Sequence, residues 1–445
     1  MIDNFGIDSV KFGDKLSILK VPAEMPGNPS EFGVLWEAKL IGICRSDKDH
    51  VSETERCGNT KHLIHEIVGE VLMMGTRVPK NIKIGTVVAP LVRRRCEKAD
   101  TPDLRCEPHV CAMRGRQYRS LTDQGCRKYS LDNYWNLTVV PEELAHDEIS
   151  VLAEPMGLIN KAISEILKIK PSWSQNSKIP PRALICGLGI GLLMAFVLKL
   201  KGFNVIVLDN EPSGSRRHDL ARVFRIPHIK VDVDEEVGPQ LVSLGIADSF
   251  DLVVDATGRS KALENLLQLV GSKGVALAFS LPPDTWIEKV CRNNVTIVGS
   301  SKMLEDDECL TEANRVCQLR VGKSRCVGTV SQDIVIYKTS GPDVLISRDA
   351  DNADLETHIK ELSPNSVVFV MGGRSGWTSL VVARDITVLG CVNYGAIHSN
   401  GGWSDLLELR QAVMGSRDLL LAFYADNEIE KAFADRDAVR AVVRI

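Results

Sequence analysis

The stretch from Arg182 to Asn210 constrains the fold of this chain more than any other. A short apolar run meets glycines at alternate positions, Gly187, Gly189 and Gly191, and an apolar helical run and a second strand-like run ending at Asp209 follow. This order of strand, glycine turn, helix, strand and acid predicts a βαβ unit that binds a dinucleotide. The glycines let the backbone approach a pyrophosphate at the positive end of the helix. The Asp209 carboxylate can accept both hydroxyls of a ribose.

The glycine pattern reads G-x-G-x-G, one residue shorter than the usual G-x-G-x-x-G. Glycine-rich turns also join strands to helices that bind nothing, so a purely structural turn is the alternative interpretation. The βαβ context and the acid twenty residues after Gly189 favour the nucleotide. A further turn follows the strand-like run 250–255 and adds Thr257 as a candidate coenzyme contact.

Composition places the chain among ordinary globular proteins. Its 445 residues, 44% hydrophobic and 25% charged, suffice for two or three domains. The formal net charge of −4 gives no reason to expect nucleic acid or an anionic membrane as partner, and no apolar run is long enough to span a bilayer. Twelve cysteines without a visible secretory signal are typical of reduced thiols, so we expect a cytoplasmic protein.

The pattern of apolar runs changes along the chain. Before residue 155, short strand-like runs are separated by glycine and proline, which predicts a small, partly open barrel. After residue 181, strands alternate with helices, which predicts a doubly wound parallel sheet. We therefore expect an α/β protein with a catalytic domain over 1–160 and 396–445 and a nucleotide-binding domain over 161–395.

A second series of strand, helix and strand follows the first at a nearly constant offset. Asp251 and Asp343, Leu263 and Leu355, Glu264 and Glu356, and Val275 and Val367 lie 92 positions apart, and Gly299 and Gly390 lie 91 apart. The offset predicts a duplicated half of a nucleotide-binding fold, inserted at about 300–385. The alternative is that any two strand–helix–strand units look alike by pattern.

Three short motifs precede the βαβ unit. They are Gly42-Ile-Cys-Arg-Ser-Asp47, His65-Glu66 with Gly69 after two residues, and Ala153-Glu-Pro155. Their order resembles the zinc-dependent medium-chain alcohol dehydrogenases. The acid of the third motif and the run Val92–Cys96 look most like archaeal-type glucose and polyol dehydrogenases. The resemblance covers nearly the whole chain outside the inserted block, and it implies a GroES-like barrel beside a Rossmann domain.

The resemblance also implies a catalytic zinc. Zinc prefers thiolate and imidazole ligands, and a site with one open position can act as a Lewis acid on an alcohol. Cys44 and His65 would be the first two ligands, while Glu66 and Glu154 remain alternatives for the third, in exchange with water. Glu66 is therefore a candidate both for metal binding and for catalysis. Ile64 stands where the family usually has glycine, and the nearby His62 and Cys57 are substitute ligands.

The same resemblance assigns roles around the metal and the coenzyme. Ser46 and His50 would relay the alcohol proton to solvent, and Arg45 would hold the coenzyme pyrophosphate. Asp209 favours NAD, whereas Arg216 and Arg217 leave NADP open, because arginines can bind a 2′-phosphate. Further candidate contacts to nicotinamide or a sugar hydroxyl are Asn393 and, as a looser guess, His398.

A second, structural zinc is common among the relatives. The corresponding region here offers Cys96, Cys106, His109, Cys111 and Cys126, of which the first four could form a tetrahedral site. Their spacing is irregular, which favours a lobe that has lost its metal.

The sequence thus predicts a zinc-dependent dehydrogenase that passes a hydride from a polyol, aldose or cyclitol to NAD(P). A zinc-free reductase of quinones or enones and a non-catalytic NAD(P)-binding protein are the alternatives. We expect a small-molecule substrate and a homo-oligomer, either a dimer or a tetramer. In the family, the strand around 387–390 pairs across a dimer, and we hypothesise that the inserted half-fold extends or caps that edge within one chain.

Overall fold

A computed structural model describes most of the chain. The described residues are 4–12, 15–48, 61–62, 64–92, 126–173, 179–232, 235–246, 249–259, 261–279, 287, 290, 296–299, 308–309, 311, 334–337, 343–348, 352–362, 366–371, 376–390 and 402–445. Within these ranges no helix combines the length and the apolar character that crossing a bilayer requires.

Strands dominate the described residues. Numbered in chain order, they are β1 (Phe5–Phe12), β2 (Lys15–Pro22), β3 (Gly33–Ile43), β4 (Lys61–His62), β5 (Glu66–Met74), β6 (Val87–Pro90), β7 (Tyr129–Asn133), β8 (Leu137–Val139), β9 (Arg182–Cys186), β10 (Asn204–Asp209), β11 (His228–Lys230), β12 (Phe250–Asp255), β13 (Val270–Ala278), β14 (Thr296–Gly299), β15 (Ile334–Tyr337), β16 (Val344–Ser347), β17 (Val367–Val370), β18 (Thr387–Gly390), β19 (Leu421–Ala425) and β20 (Arg440–Arg444).

The helices are distributed along the whole chain. The α-helices are α1 (Glu142–Ala145), α2 (Ala153–Ile169), α3 (Ile190–Leu200), α4 (Arg216–Val223), α5 (Val237–Ser243), α6 (Ala262–Leu267), α7 (Asn352–Glu361), α8 (Gly376–Ala383), α9 (Gly402–Ala412), α10 (Arg417–Leu420) and α11 (Ile429–Ala434). Short 3₁₀ helices span Tyr134–Asn136, Glu148–Leu152, Pro171–Trp173 and Asp426–Glu428.

The chain divides into two compact units. The first comprises residues 1–160, 215–223 and 394–445, and the second comprises residues 161–214 and 224–393. The C-terminal strands thus belong to the same unit as the N-terminal ones.

The first unit is built on β-sheets. Its larger sheet has the strand order β19-β20-β3-β5-β6-β8, with β7 also paired to β3, and a smaller sheet has the order β2-β1-β4. Trp36 on β3 is fully buried in its core and donates a 3.0 Å hydrogen bond from Nε1 to Asp132. A Cβ atom on Gly69 would lie 2.5 Å from the Trp36 ring, so the glycine of the second motif makes room for the tryptophan.

The second unit contains a ten-stranded sheet in the described residues. Its order is β11-β10-β9-β12-β13-β18-β14-β17-β16-β15. The first six of these strands are parallel to their neighbours, as predicted for a doubly wound sheet. The direction reverses between β18 and β14, which are antiparallel. Strands β14, β17 and β16 are again parallel to one another, and β15 closes the order antiparallel to β16.

The two predicted copies of the half-fold share a strand register within this sheet. In the first copy Leu252 pairs with Val275, and in the second Val344 pairs with Val367, 92 positions later in both strands. Helices α6 and α7 connect these strands in the corresponding positions. A shared register is what a duplication would produce, and the duplication itself stays a prediction.

Candidate metal centre and coenzyme turn

The register of two strands brings the predicted metal ligands together. Strands β3 and β5 are antiparallel, and Gly42 near the end of β3 pairs with Glu66 at the start of β5. Cys44 directly follows β3 and His65 directly precedes β5, so the two residues lie at the same edge of the sheet. One ligand atom from each of Cys44, His65 and Glu66 lies within 4.8 Å of the others. A thiolate, an imidazole and a carboxylate are donor types that zinc binds, so this set of side chains fits the ion.

Gly42 has a steric role in this cluster. A Cβ atom at this position would lie 2.5 Å from Oε2 of Glu66. The glycine that opens the first motif therefore leaves space for a fully buried carboxylate on the neighbouring strand.

Asp47 connects the segments that carry the two ligands. Its carboxylate accepts hydrogen bonds from the backbone N–H of Cys44 at 2.9 Å and of Ile64 at 2.8 Å. Nδ1 of His65 lies 3.3 Å from Oδ1 of the same carboxylate. A carboxylate on one ring nitrogen fixes the orientation of a ligand histidine and leaves Nε2 for the metal. No role was predicted for Asp47 from the sequence, although it is the acid of the first motif.

Ile64 has a backbone conformation that side chains with a branched Cβ rarely adopt. Its φ is 75°, in the left-handed region, and its side chain is fully buried in the core of the first unit. The family's glycine has no steric penalty at such a φ, whereas isoleucine does. The burial and the hydrogen bond to Asp47 hold this conformation next to His65.

Arg440 forms a buried ion pair with the candidate carboxylate ligand. Its Nε lies 2.9 Å from Oε2 of Glu66, and both side chains are at least 94% buried. Arg440 belongs to β20, which pairs with β3 so that Ala441 lies opposite Ile43. Nothing in the sequence motifs indicated this residue. The available signal was an arginine within the apolar strand-like run near the C-terminus.

The buried charges of the centre are out of balance in the described residues. Cys44, Asp47, Glu66 and Glu154 are negative when ionised, whereas only His65 and Arg440 contribute positive charge. Burial raises the pKa of Glu66 to about 8 and that of Glu154 to about 7. A surplus of buried acids disfavours full ionisation, and a divalent cation would relieve it.

The pKa values of Cys44 and His65 shift in opposite directions, and both shifts affect how a metal would bind. Burial alone would raise the pKa of the Cys44 thiol, but the charges of Arg440 and His65 outweigh it and lower the pKa to about 7. Burial would lower the pKa of His65, but Asp47 raises it well above its usual value. Binding of a metal in place of the proton on His65 would therefore be coupled to proton release.

Glu154 lies outside the group of three but within its electrostatic reach. It is the second residue of α2, and the charges of His65, Glu66 and Arg440 all act on its carboxyl group. Its Oε1 is buried and has no hydrogen-bond partner among the described residues. The choice between Glu66 and Glu154 as third ligand remains a prediction.

The other residues assigned from the first motif lie on one short segment. Residues 45–48 have helical backbone, Ser46 is half-buried and Arg45 is exposed. Their roles in proton relay and pyrophosphate binding remain predictions. Several predicted site residues lie outside the described residues: His50, Cys57, Cys96, Cys106, His109, Cys111, Asn393 and His398, as does the side chain of His62.

The glycine turn of the second unit has the geometry of a nucleotide-binding turn. Strand β9 ends at Cys186 and α3 begins at Ile190. Gly187 has a φ of 110°, and a Cβ there would lie 2.9 Å from the carbonyl oxygen of Ala256. A Cβ on Gly189 would meet nothing within 4 Å, so the chain leaves open space at this residue. The eleven-residue helix α3 supplies the positive N-terminus that a pyrophosphate prefers.

Gly191 and Asp209 complete this turn. Gly191 lies against the strand, since a Cβ there would be 3.1 Å from Ile185. The carboxylate of Asp209 accepts hydrogen bonds from the N–H of Leu188 at 2.7 Å and of Glu211 at 3.1 Å. Asp209 thus supports the turn itself. Its contact with a ribose remains a prediction.

Thr257 lies next to the glycine turn. Its N–H and its hydroxyl donate to Oδ1 of Asp255 at 2.9 and 2.7 Å, and its own Oγ1 accepts from the N–H of Arg259 at 3.1 Å. The side chain therefore orders the turn after β12. Contact with a coenzyme was predicted and is not tested by these bonds.

Arg216 and Arg217 bind the C-terminal part of the first unit. Arg217 donates to the carbonyl oxygens of Arg436 at 2.6 Å and Ala438 at 3.2 Å. Arg216 donates to the carbonyl oxygen of Asp418. Both guanidinium groups thus hold the tail, a role that the sequence did not indicate. Their binding of a 2′-phosphate remains a prediction.

The β-rich first unit and the doubly wound second unit match the fold class that the sequence predicts, and the first unit carries the thiol–imidazole–carboxylate cluster. Comparison with known proteins agrees. Residues 147–303 match the family model described as glucose dehydrogenase C-terminus.

Curated relatives include archaeal enzymes. Glucose 1-dehydrogenase 1 of Vulcanisaeta moutnovskia is 28% identical over 286 residues, which cover 61% of this chain and 74% of that protein. Glucose 1-dehydrogenase of Thermoproteus tenax is 27% identical over 289 residues, with coverage of 61% and 74%. The resemblance predicted from the motifs is thereby confirmed.

Solved structures share the fold. Haloferax mediterranei glucose dehydrogenase, in complex with NADP, Zn and gluconolactone, superposes with a TM-score of 0.64 at 16% identity and covers 99% of both chains. Galactitol-1-phosphate dehydrogenase from Escherichia coli has a TM-score of 0.60 at 14% identity, with coverage of 99% of this chain and 100% of that one. The predicted fold class is confirmed.

Proposed function

We propose that this protein is a zinc-dependent dehydrogenase that oxidises the CH–OH group of a sugar or polyol with NAD(P). The cluster of Cys44, His65 and Glu66 within 4.8 Å carries this proposal. The surplus of buried acids around it and the glycine turn of the second unit support it, as do the glucose dehydrogenases among the relatives.

The residues around the proposed metal would have two roles, as ligands and as groups that position the ligands. Cys44 and His65 would hold zinc, together with Glu66 or Glu154, and Asp47 would keep the His65 ring in place. Zinc held by such ligands supplies Lewis acidity toward a substrate hydroxyl and lowers its pKa. The arrangement suits an ion with an exchangeable position, because the ion pair with Arg440 holds Glu66 next to Cys44 and His65 without the metal.

The proposed reaction removes a proton and a hydride from the same CH–OH group. Ser46 conducts the hydroxyl proton outward, with His50 as the next acceptor in the relay. A bound NAD(P)⁺ would supply the hydride acceptor, and the oxidised substrate would leave as a carbonyl compound. Glu66 would serve as a carboxylate ligand in exchange with water.

The coenzyme assignment rests on the end of β10. Asp209 would repel a 2′-phosphate and therefore favours NAD. Arg216 and Arg217 could bind a 2′-phosphate, which would allow NADP as well. NADP is the coenzyme of the Haloferax complex named above. Substrate candidates are aldoses, polyols and cyclitols, and the reaction would take place in the cytoplasm, where Cys44 stays reduced.

A panel of aldoses, polyols and cyclitols, assayed for NADH and NADPH formation before and after chelation, tests the proposal. We expect turnover of at least one of them, loss of turnover on chelation and recovery on adding zinc. Cys44→Ser and His65→Ala should each lower turnover by about a thousand-fold. Cys126→Ser, at a buried cysteine that is not one of the three grouped ligands, is the matched control and should retain activity.

Two outcomes would contradict the proposal. Full activity of metal-free protein on quinones or enones would identify a zinc-free reductase. Binding of NADH without turnover of any alcohol or aldehyde would identify a nucleotide-binding protein without catalysis.

A further inference from the structure

The two copies of the half-fold do not keep their own last strands. In the first copy, β13 pairs with β18, which comes from the second copy. In the second copy, β17 pairs with β14, which comes from the first. Strands β14 and β18 then pair with each other and join the two halves into one sheet. Each half of the sheet is therefore completed by the strand that belongs, by sequence, to the other half.

The registers show that this exchange is symmetric. Val275 pairs with Thr387, and the equivalent Val367 pairs with Thr296. At the junction, Ile297 lies opposite its own counterpart Val388. Thr296 opposite Leu389 and Val298 opposite Thr387 are related in the same way. An antiparallel pair of two equivalent strands is the arrangement that a twofold axis produces between two identical chains. Here one chain supplies both strands.

Local contacts fix the exchanged strands in place. The N–H of Gly299 donates to the carbonyl oxygen of Ile386 at 2.9 Å, and a Cβ on Gly299 would clash with the carbonyl oxygen of Val381. Arg384, just before β18, donates to the carbonyl oxygens of Gln268 at 2.6 Å and Val270 at 3.0 Å. Contacts of Gly299 with the second copy and of Arg384 with the first copy thus hold the two copies together.

The hydrophobic core also continues through the junction. Ile297 and Val388 are fully buried and belong to one cluster with Val253 of the first copy and Val368 of the second. Separating the two halves would expose this continuous apolar surface, which is unfavourable by about 25 cal/mol for each Å².

We propose that the second copy acts as a built-in strand partner, so that the edge of the nucleotide-binding sheet is completed within one chain. Both hydrogen-bonding edges of β18 are occupied, by β13 and β14, and both edges of β14 are occupied, by β18 and β17. An edge strand is a template for pairing with another copy only while one of its edges is open. No second copy pairs at this strand, and any self-association uses another surface.

A cysteine pair across the junction tests this proposal in the full chain. Because Gly299 bonds to Ile386, hydrogen-bonded pairs alternate with non-bonded pairs along the ladder, and Val298 opposite Thr387 is a non-bonded pair. Side chains of non-bonded pairs lie closest, which suits a disulfide. The variant Val298→Cys/Thr387→Cys should form this bridge under mild oxidation. Mass spectrometry of a non-reduced digest identifies it among the native cysteines.

The mass of the bridged species under denaturing conditions decides between one chain and two. We expect the mass of a single chain. A covalent dimer linked between residues 298 and 387 would show that the strands are exchanged between copies and would overturn the proposal. Absence of the bridge would overturn the pairing itself. Val298→Cys/Leu389→Cys, which places the thiols on a diagonal, is the register control and should bridge far less.

The mass in solution gives a second, independent readout. Light scattering of the bridged variant should give the same mass as the reduced protein, because locking the junction does not touch the surface used by another copy. A lower mass after bridging would show that self-association needs the junction to open. Neither readout depends on zinc, coenzyme or turnover, so this proposal and the proposed dehydrogenase activity can fail separately.

Discussion

The two candidate sites differ in how their residues are distributed along the chain. The coenzyme turn of the second unit takes its parts from the short stretch between Cys186 and Asp209. The metal centre of the first unit joins residues 44, 65 and 66 with Arg440, whose guanidinium contacts the carbonyl oxygen of a residue 397 positions earlier. The turn depends on local backbone conformation, whereas the metal centre depends on burial and on the balance of charges brought together by the whole unit.

This difference indicates what should damage each site. A residue that disfavours the φ angle required in the turn should destabilise the turn. Removal of a buried charge should destabilise the metal centre. The following predictions test this contrast, and they are ordered by the size of the expected effect.

The largest effect on stability should come from Arg440→Met. Without this guanidinium, the fully buried Glu66 has no counter-charge in the metal-free protein, so at pH 9, above the Glu66 pKa of about 8, we expect the free energy of unfolding to fall by about 3–5 kcal/mol. Urea denaturation measures the change. Arg444→Met on the same strand is the control, because Arg444 is 55% exposed in its ion pair with Glu148 and should contribute at most about 1 kcal/mol. Equal effects of the two changes would contradict a buried pair.

In the coenzyme turn, Gly187→Ala should destabilise the second unit by about 1–3 kcal/mol. The φ of 110° disfavours alanine, and its methyl group would press on the carbonyl oxygen of Ala256. Gly238→Ala in α5 is the control, since it places a Cβ in ordinary contact with Leu269 and should be neutral or stabilising. Thermal unfolding followed by circular dichroism compares them. A cost for Gly238→Ala as large as that for Gly187→Ala would refute the conformational reason.

Ile64 gives a contrast within the metal centre itself. Both Ile64→Gly and Ile64→Ala remove a buried side chain, but glycine adopts a φ of 75° without penalty, so Ile64→Gly should be more stable than Ile64→Ala by about 1 kcal/mol. Ile67 on β5 is the matched control, where glycine should be the less stable of the two replacements. Chemical denaturation of the four variants measures both differences. The same order at both positions would mean that Ile64 is not held in the left-handed region.

The smallest perturbation is a chemical probe of the cysteines. In chelated protein, alkylation of Cys44 should increase through a midpoint near pH 7, where its thiol loses the proton, and added zinc should protect it. Cys126 is the internal comparison, because burial raises its pKa to about 12 and it should stay unmodified. Peptide mapping after iodoacetamide treatment separates the two. Equal reactivity of both thiols would contradict the charged surroundings assigned to Cys44.

The site residues could be predicted from the sequence where they lie in one short stretch or in recognisable motifs. The coenzyme turn could be predicted because Gly187, Gly189 and Asp209 lie on one βαβ unit. Cys44, His65 and Glu66 could be predicted because their motifs resemble a family with a fixed order of motifs. The offset of 92 residues predicted a second half-fold, and the strand registers match at the same offset.

Other features could not be read from local sequence. Arg440 lies in a strand whose pattern is ordinary, and only the pairing of β20 with β3 places it against Glu66. The exchange of β14 and β18 could not be predicted from the sequence either. The two strands are equivalent by sequence, so nothing in either one states which half of the sheet it completes.

Metal analysis of the purified protein tests the central claim most directly. After incubation with zinc and removal of the excess, the double variant Cys44→Ser/His65→Ala should contain about one zinc ion less per chain than the unmodified protein. Cys126→Ser should bind as much as the unmodified protein. An unchanged zinc content in the double variant, or no zinc in the unmodified protein, would contradict a metal centre at Cys44 and His65.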